Sequence, residues 1–217
     1  MNRETSTPHH LTDNDADNDA DDDAGDLAPD LAADLTADIV VRAPMDGHLG
    51  TLTWHNQGRS IEINCAIGAA GLSHEKREGD GSTPLGRFAL RQIWFRPDRL
   101  RLPETALPQR ALTPNDGWSD DPEDPKYNQA VHLPHPFNHE ILWRDDHLYD
   151  VLIEIGYNDP PARAGLGSAI FLHLQKNNYQ ATRGCVAINL DDMLTLIPTL
   201  RVGSQIQITR DQLSQAS

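Results

Sequence analysis

The apolar residues of this chain come in short runs of strand length and almost never at helical spacing, which restricts it to a mainly β fold. His48–His55 and Arg59–Gly68 are two such runs, joined by Asn56-Gln57-Gly58, a hairpin signal. Gly86–Phe95, Leu148–Tyr157, Ser168–Leu174 and Gln205–Thr209 continue the pattern with alternating or unbroken apolar residues. One helix interrupts it after residue 188. Asn189 is placed to cap that helix, Asp191 and Asp192 suit its positive end, and Met193, Leu194 and Ile197 form its apolar face. Pro198 and Gly203 close it. Residues 97–147 are rich in Pro, Asp and His and carry little periodicity. A stretch of that length in a compact domain is functional or hides short elements.

The chain's acidity is concentrated at one end. Residues 1–38 hold twelve Asp and Glu and one Arg, so they carry −11 of the formal charge of −15. The run Asp13 to Asp23 cannot bury enough apolar surface to offset chain entropy, and residues 1–38 are expected to be a disordered acidic tail. Its Asp-x-Asp spacing lacks the sixth-position glycine and twelfth-position glutamate of a calcium loop, so it is read as solvated and no metal site is expected. Residues 39–217 suit one domain with a sizeable core. No run approaches 18 apolar residues, which predicts no membrane span, and the N-terminus shows no charged-then-apolar leader. Nothing basic enough for nucleic acid is present.

The chemistry points to one place. Ile170-Phe-Leu-His-Leu-Gln175 ends a strand on His173, and Thr182-Arg-Gly-Cys-Val-Ala-Ile188 puts Cys185 just past a glycine turn. A thiol near its unperturbed pKa is only about 3% ionised at pH 7, and pairing with an imidazole lowers that pKa by roughly two units. Gly184 permits a tight turn, and backbone N–H groups there can face a developing oxyanion. Cys185 as nucleophile and His173 as general base is therefore the expected pair. Zinc is disfavoured, because no paired Cys-x-x-Cys or His-x-x-x-His spacing exists. Cys65 lies in the alternating run Ile63-Asn-Cys-Ala-Ile67 and reads as a sheet residue; a permanent Cys65–Cys185 bridge is not expected.

A histidine in a strand, a short excursion, then Ser/Thr-x-Gly-Cys resembles the L,D-transpeptidase (YkuD-type) catalytic domain, through His173, Thr182, Arg183, Gly184 and Cys185. A second block, Glu75-Lys-Arg-Glu-Gly-Asp-Gly-Ser-Thr-Pro-Leu-Gly-Arg-Phe88, resembles that family's segment leading into a strand. The resemblance spans roughly Ile39 to Thr209. Many members have Ser-His-Gly-Cys, a longer insert, and Arg or Asn two residues after the cysteine. This chain has Thr-Arg-Gly-Cys and Ala187, an atypical subgroup.

The resemblance implies a YkuD-like β-sandwich with catalytic residues at its rim, and a cysteine L,D-transpeptidase that cross-links peptidoglycan stem peptides. It implies an acyl-enzyme on Cys185 with the donor at position one or three of the stem, and no metal or organic cofactor. Hydrolysis of the same acyl-enzyme, by an L,D-carboxypeptidase or muropeptide amidase, is the alternative; a non-catalytic wall-binding module is the other. The family places the enzyme in the periplasm or cell envelope, while the unseen leader leaves a cytoplasmic site open. Arg183 reads as a contact for a substrate carboxylate or as a surface arginine, and Thr182 as a site residue or part of the turn. Trp118, Asp120 and Tyr127 are expected either to border the cleft and hold a peptide stem or to be loop structure. Asn158, in Tyr157-Asn-Asp159, has an equally plausible rim position.

Overall fold

The computed structural model describes residues 37–211; the expected disorder of residues 1–36, like residues 212–217, lies outside them. Fourteen strands are seen among the described residues: β1 (Ile39–Ala43), β2 (Leu49–Asn56), β3 (Arg59–Ala66), β4 (Leu72–Ser73), β5 (Thr83–Pro84), β6 (Gly86–Phe95), β7 (Gln109–Ala111), β8 (Asp116–Ser119), β9 (Ala130–His132), β10 (His139–Ile141), β11 (Val151–Ile155), β12 (Phe171–Leu174), β13 (Val186–Ile188) and β14 (Gln205–Arg210). One short helix, α1 (Leu190–Leu196), follows β13. The mainly β fold expected from the sequence is what the structure has.

The main sheet runs β11-β12-β13-β3-β2-β1-β14-β6-β7, and β6 also pairs with β11. The hydrogen-bonded strip therefore returns on itself through the ten-residue β6. Gly86 to Ala89 pair with β14, while Leu90 to Phe95 pair with β11. Gln57 and Gly58 both have positive φ (50° and 76°), which is the turn that matches strand twist in a two-residue hairpin, and β2 and β3 pair in full register from it.

Alternation along β12 sets up the two sides. Ile170, Leu172 and Leu174 point into the principal core with Val151, Ile153, Val186 and Ile188. Ala169 and Phe171 point the other way, into a second cluster with Trp94, Trp118, Leu142, Tyr149, Leu152 and Cys185. The stretch 97–147, expected as a loop or short elements, supplies the cover for this second face: it contains β7, and β10-β8-β9 form a small sheet. Trp118 of β8 meets Phe171 edge-on at 5.1 Å. Covered on both faces, β12 is buried along its whole length, which is why it is apolar on both faces apart from His173.

Two details of the helix differ from expectation. Asn189 occupies the N-cap position but makes no capping bond; its Oδ1 accepts from Gln175 and its Nδ2 donates to the Tyr179 hydroxyl, tying the loop after β12 to the helix. Leu196, not Leu194, is buried beside Met193 and Ile197, because those positions face the core.

Phe171 is fully buried between Trp118 and Tyr149. Phe171→Ala is expected to lower unfolding stability by about 3–5 kcal/mol in urea titrations, with an unchanged m-value if the native topology survives.

Candidate active site

The two sequence blocks that stand some hundred residues apart meet at the glycine turn. Thr83 Oγ1 donates to the Gly184 carbonyl at 2.9 Å and accepts from the Gly68 N–H at 2.8 Å. Thr182 Oγ1 donates to the Cys185 carbonyl at 2.7 Å and accepts from the Gly184 N–H at 3.1 Å. Backbone bonds from Thr182 to Ile67 and from Ala69 to Thr182 pin the start of the turn. Gly184 sits at φ +138°, and a Cβ there would lie 2.9 Å from the Ser82 carbonyl. Glycine is required for both reasons. Thr182 is thus a built part of the turn.

β12 and β13 run parallel with His173 paired to Ala187, so His173 and Cys185 are diagonal neighbours on one face of the pair. His173 Nδ1 lies 2.8 Å from the Leu174 carbonyl. A carbonyl only accepts, so Nδ1 carries the proton and Nε2 keeps its lone pair. The Tyr149 ring meets the imidazole edge-on at 5.3 Å. On the sulfur side, Cys185 Sγ–H donates to the Ala169 carbonyl at 3.2 Å, and the Phe171 N–H donates to Sγ at 3.4 Å.

Electrostatics correct one expectation. The thiol is not lowered by its neighbour. Burial, then the negative charge of Glu140, push it up to about 12, against the Phe171 N–H, Lys76 and Arg183. Burial likewise pushes His173 down to about 4. Both groups rest neutral at pH 7, which suits proton transfer from sulfur to Nε2 during attack rather than a preformed ion pair. A second expectation also changes. The Gly184 N–H is engaged by Thr182, while the Cys185 N–H donates to no acceptor among the described residues.

His173, Cys185, Thr182, Arg183 and Asp120 all line one cavity of about 740 Å³. Trp118, Tyr127 and Asn158 do not. Trp118 is buried beneath Phe171 with its indole N–H on Asn128. Tyr127 acts through a neighbour, its hydroxyl donating to Glu78, which does line the cavity. Asn158 braces its own loop, bonding Arg163 and Gly167.

The sequence profile of the YkuD L,D-transpeptidase catalytic domain matches residues 39–208. The chain belongs to that family. Among solved structures it is similar to the helical cell shape determining protein Pgp2 from Campylobacter jejuni, at 13% identity and a TM-score of 0.42, over 80% of this chain and 48% of that one. It is also similar to Bdellovibrio bacteriovorus Bd1075, at 14% identity and a TM-score of 0.39, over 78% of this chain and 47% of that one. The chain thus spans about half the length of each. No curated protein matches it. No described helix is long and apolar enough to cross a membrane.

In this L,D-transpeptidase-family domain the cavity wall also holds residues that sequence reading did not single out: Lys76, Glu78, Glu140, Arg144, Tyr149 and Ser168. Lys76 is buried, with Nζ on Asp80 Oδ1 at 2.5 Å and on the Arg77 carbonyl at 2.7 Å. Asp80 is held at about 2: bonds from Lys76 and from the Arg77 and Ser82 N–H groups outweigh its partial burial. The motif spelling Lys-Arg-Glu-Gly-Asp was the available signal for Lys76, Glu78 and Asp80. Nothing in the sequence marked Glu140 or Tyr149.

Two measurements follow from this geometry. Alkylation of Cys185 by iodoacetamide, followed by peptide mass spectrometry, is expected to accelerate about tenfold per pH unit from roughly pH 7 to pH 10. A plateau near pH 8 or 9 would show an ordinary thiol. Gly184→Ala is expected to cost about 1–3 kcal/mol of stability and more than Gly203→Ala. Gly203 also has positive φ, but a Cβ there meets nothing within 4 Å.

Proposed function

We propose that this domain is a cysteine L,D-transpeptidase acting on peptidoglycan stem peptides, with Cys185 as nucleophile and His173 as general base. The observation that carries the reading is the shared cavity, lined both by the buried thiol and by an imidazole whose Nε2 is left unprotonated by the Nδ1–Leu174 bond. Sγ attacks the carbonyl carbon of an L-configured residue while Nε2 takes the thiol proton. The Cys185 N–H faces the resulting oxyanion. Collapse breaks the amide C–N bond, and the amine leaves with the proton from Nε2. An acceptor amine then attacks the thioester, forming the new amide as sulfur departs and is reprotonated through His173. Arg183 and Lys76 supply positive charge for a stem carboxylate, and Asp120 and Glu78 supply negative charge for its amines. The acidic stretch before residue 37 is proposed to be separate from this catalytic unit, Asp38 itself being tied to it by Gln205 and Arg201, and the envelope is its proposed place of work.

The test is incubation of wild-type and Cys185→Ala protein with purified sacculi and with disaccharide-tetrapeptide, followed by chromatography and mass spectrometry of the muropeptides. Cysteine-dependent dimers are expected, with fragmentation reporting whether position one or three is the donor. Shortened stems without dimers would make the enzyme a hydrolase. Identical products from both proteins would sink the catalytic reading.

A further inference from the structure

Resting on that reading, we infer that Glu140 is the group that receives the acceptor amine and takes its first proton. The chemistry of transfer needs such a group. An acceptor amine arrives at neutral pH as an ammonium ion and must lose one proton before its lone pair can attack. It loses a second as the C–N bond forms, and that one goes to His173 Nε2 and then to the departing sulfur. One imidazole cannot hold both.

Glu140 is one of three carboxylates on the cavity wall, and its negative charge acts on the Cys185 sulfur. Glu78 accepts from the Tyr127 and Ser168 hydroxyls, and Asp120 from the Asn138 side chain. Glu140 lies on β10, opposite Trp118 of β8, so the small sheet that packs on Phe171 also fixes its backbone. Its Oε1 accepts from the Tyr149 hydroxyl at 2.8 Å and lies 3.6 Å from Arg144. Tyr149 in turn packs edge-on against His173. Oε2 takes no hydrogen bond from a described residue, which leaves it for an ammonium N–H. The charges facing Glu140 are Arg144, Arg183 and Asp120. Burial raises its pKa, so the protonated carboxyl is better tolerated there than in water.

In the step, R–NH3+ gives one N–H proton to Glu140 Oε2. The neutral R–NH2 attacks the thioester carbon, the C–S bond breaks, and Nε2 carries the second proton to sulfur. Glu140 then releases its proton to solvent, restoring the carboxylate. Water needs no such prior deprotonation, so hydrolysis does not depend on Glu140.

The experiment forms the Cys185 acyl-enzyme from disaccharide-tetrapeptide and offers it two acceptors at neutral pH: glycinamide, largely an ammonium ion, and hydroxylamine, already neutral. In Glu140→Gln, transfer to glycinamide is expected to fall about tenfold relative to wild type, since roughly a tenth of it is already free amine at pH 7. From the same acyl-enzyme, transfer to hydroxylamine and hydrolysis are expected to change less than about threefold on the same reasoning. Tyr149→Phe should reduce glycinamide transfer by a smaller factor. Equal losses with both acceptors would overturn the inference and make Glu140 merely structural. So would unchanged glycinamide transfer. Absence of a Cys185 adduct in wild type would instead overturn the function on which the inference rests.

Discussion

Burying β12 on both faces is the constraint on which the site depends. Its inner face closes the principal core through Leu172 and Leu174, and its outer face carries Phe171, under Trp118 of β8, and His173, against Tyr149. A histidine on such a strand is dehydrated by its surroundings, and its charged form is disfavoured. The same cover dehydrates the thiol beside it. Neutrality of both partners is thus a packing result, and any reaction between them must move a proton as it proceeds.

Held this way, the pair needs rigid support, and the support is distributed. Thr83 and Thr182 fix the carbonyls of Gly184 and Cys185, Leu174 fixes the imidazole tautomer, and the Asp80-centred turn packs Lys76 against the glycine. Most of these contacts use hydroxyls or backbone carbonyls rather than charges. They hold geometry without adding a full charge, the Lys76–Asp80 pair excepted.

Reading the sequence located β2, β3, β6, β11, β12, β14 and the helix, because strand-length apolar runs are local signals, and it singled out His173 and Cys185, which line one cavity. The pairing that brings Thr83 onto Gly184 is not local, and only the spelling of two separated blocks hinted at it. Residues 97–147 resisted because β7 to β10 have three or four residues each, too few to establish a period. Trp118 and Tyr127 illustrate a further limit. An aromatic near a site looks the same in sequence whether it faces the ligand or underlies the residues that do. Their burial decided it, along with the hydrogen bonds of Asn128 and Glu78. The expected lowering of the thiol pKa assumed a charged imidazole, which a doubly covered strand does not permit.

The ring of strands is joined between its ends in an unusual place. β14 lies between β1, with which it runs parallel, and β6, with which it runs antiparallel. It is therefore the keystone of the strip and also its last-made part. A chain lacking residues beyond Ser204 has nothing to join Ile39–Ala43 to Gly86–Ala89, and each of those segments then offers a row of unpaired amides and carbonyls to any passing strand. For this domain a ragged C-terminal edge is an aggregation hazard, whereas Cys185, some twenty residues upstream, would already be made.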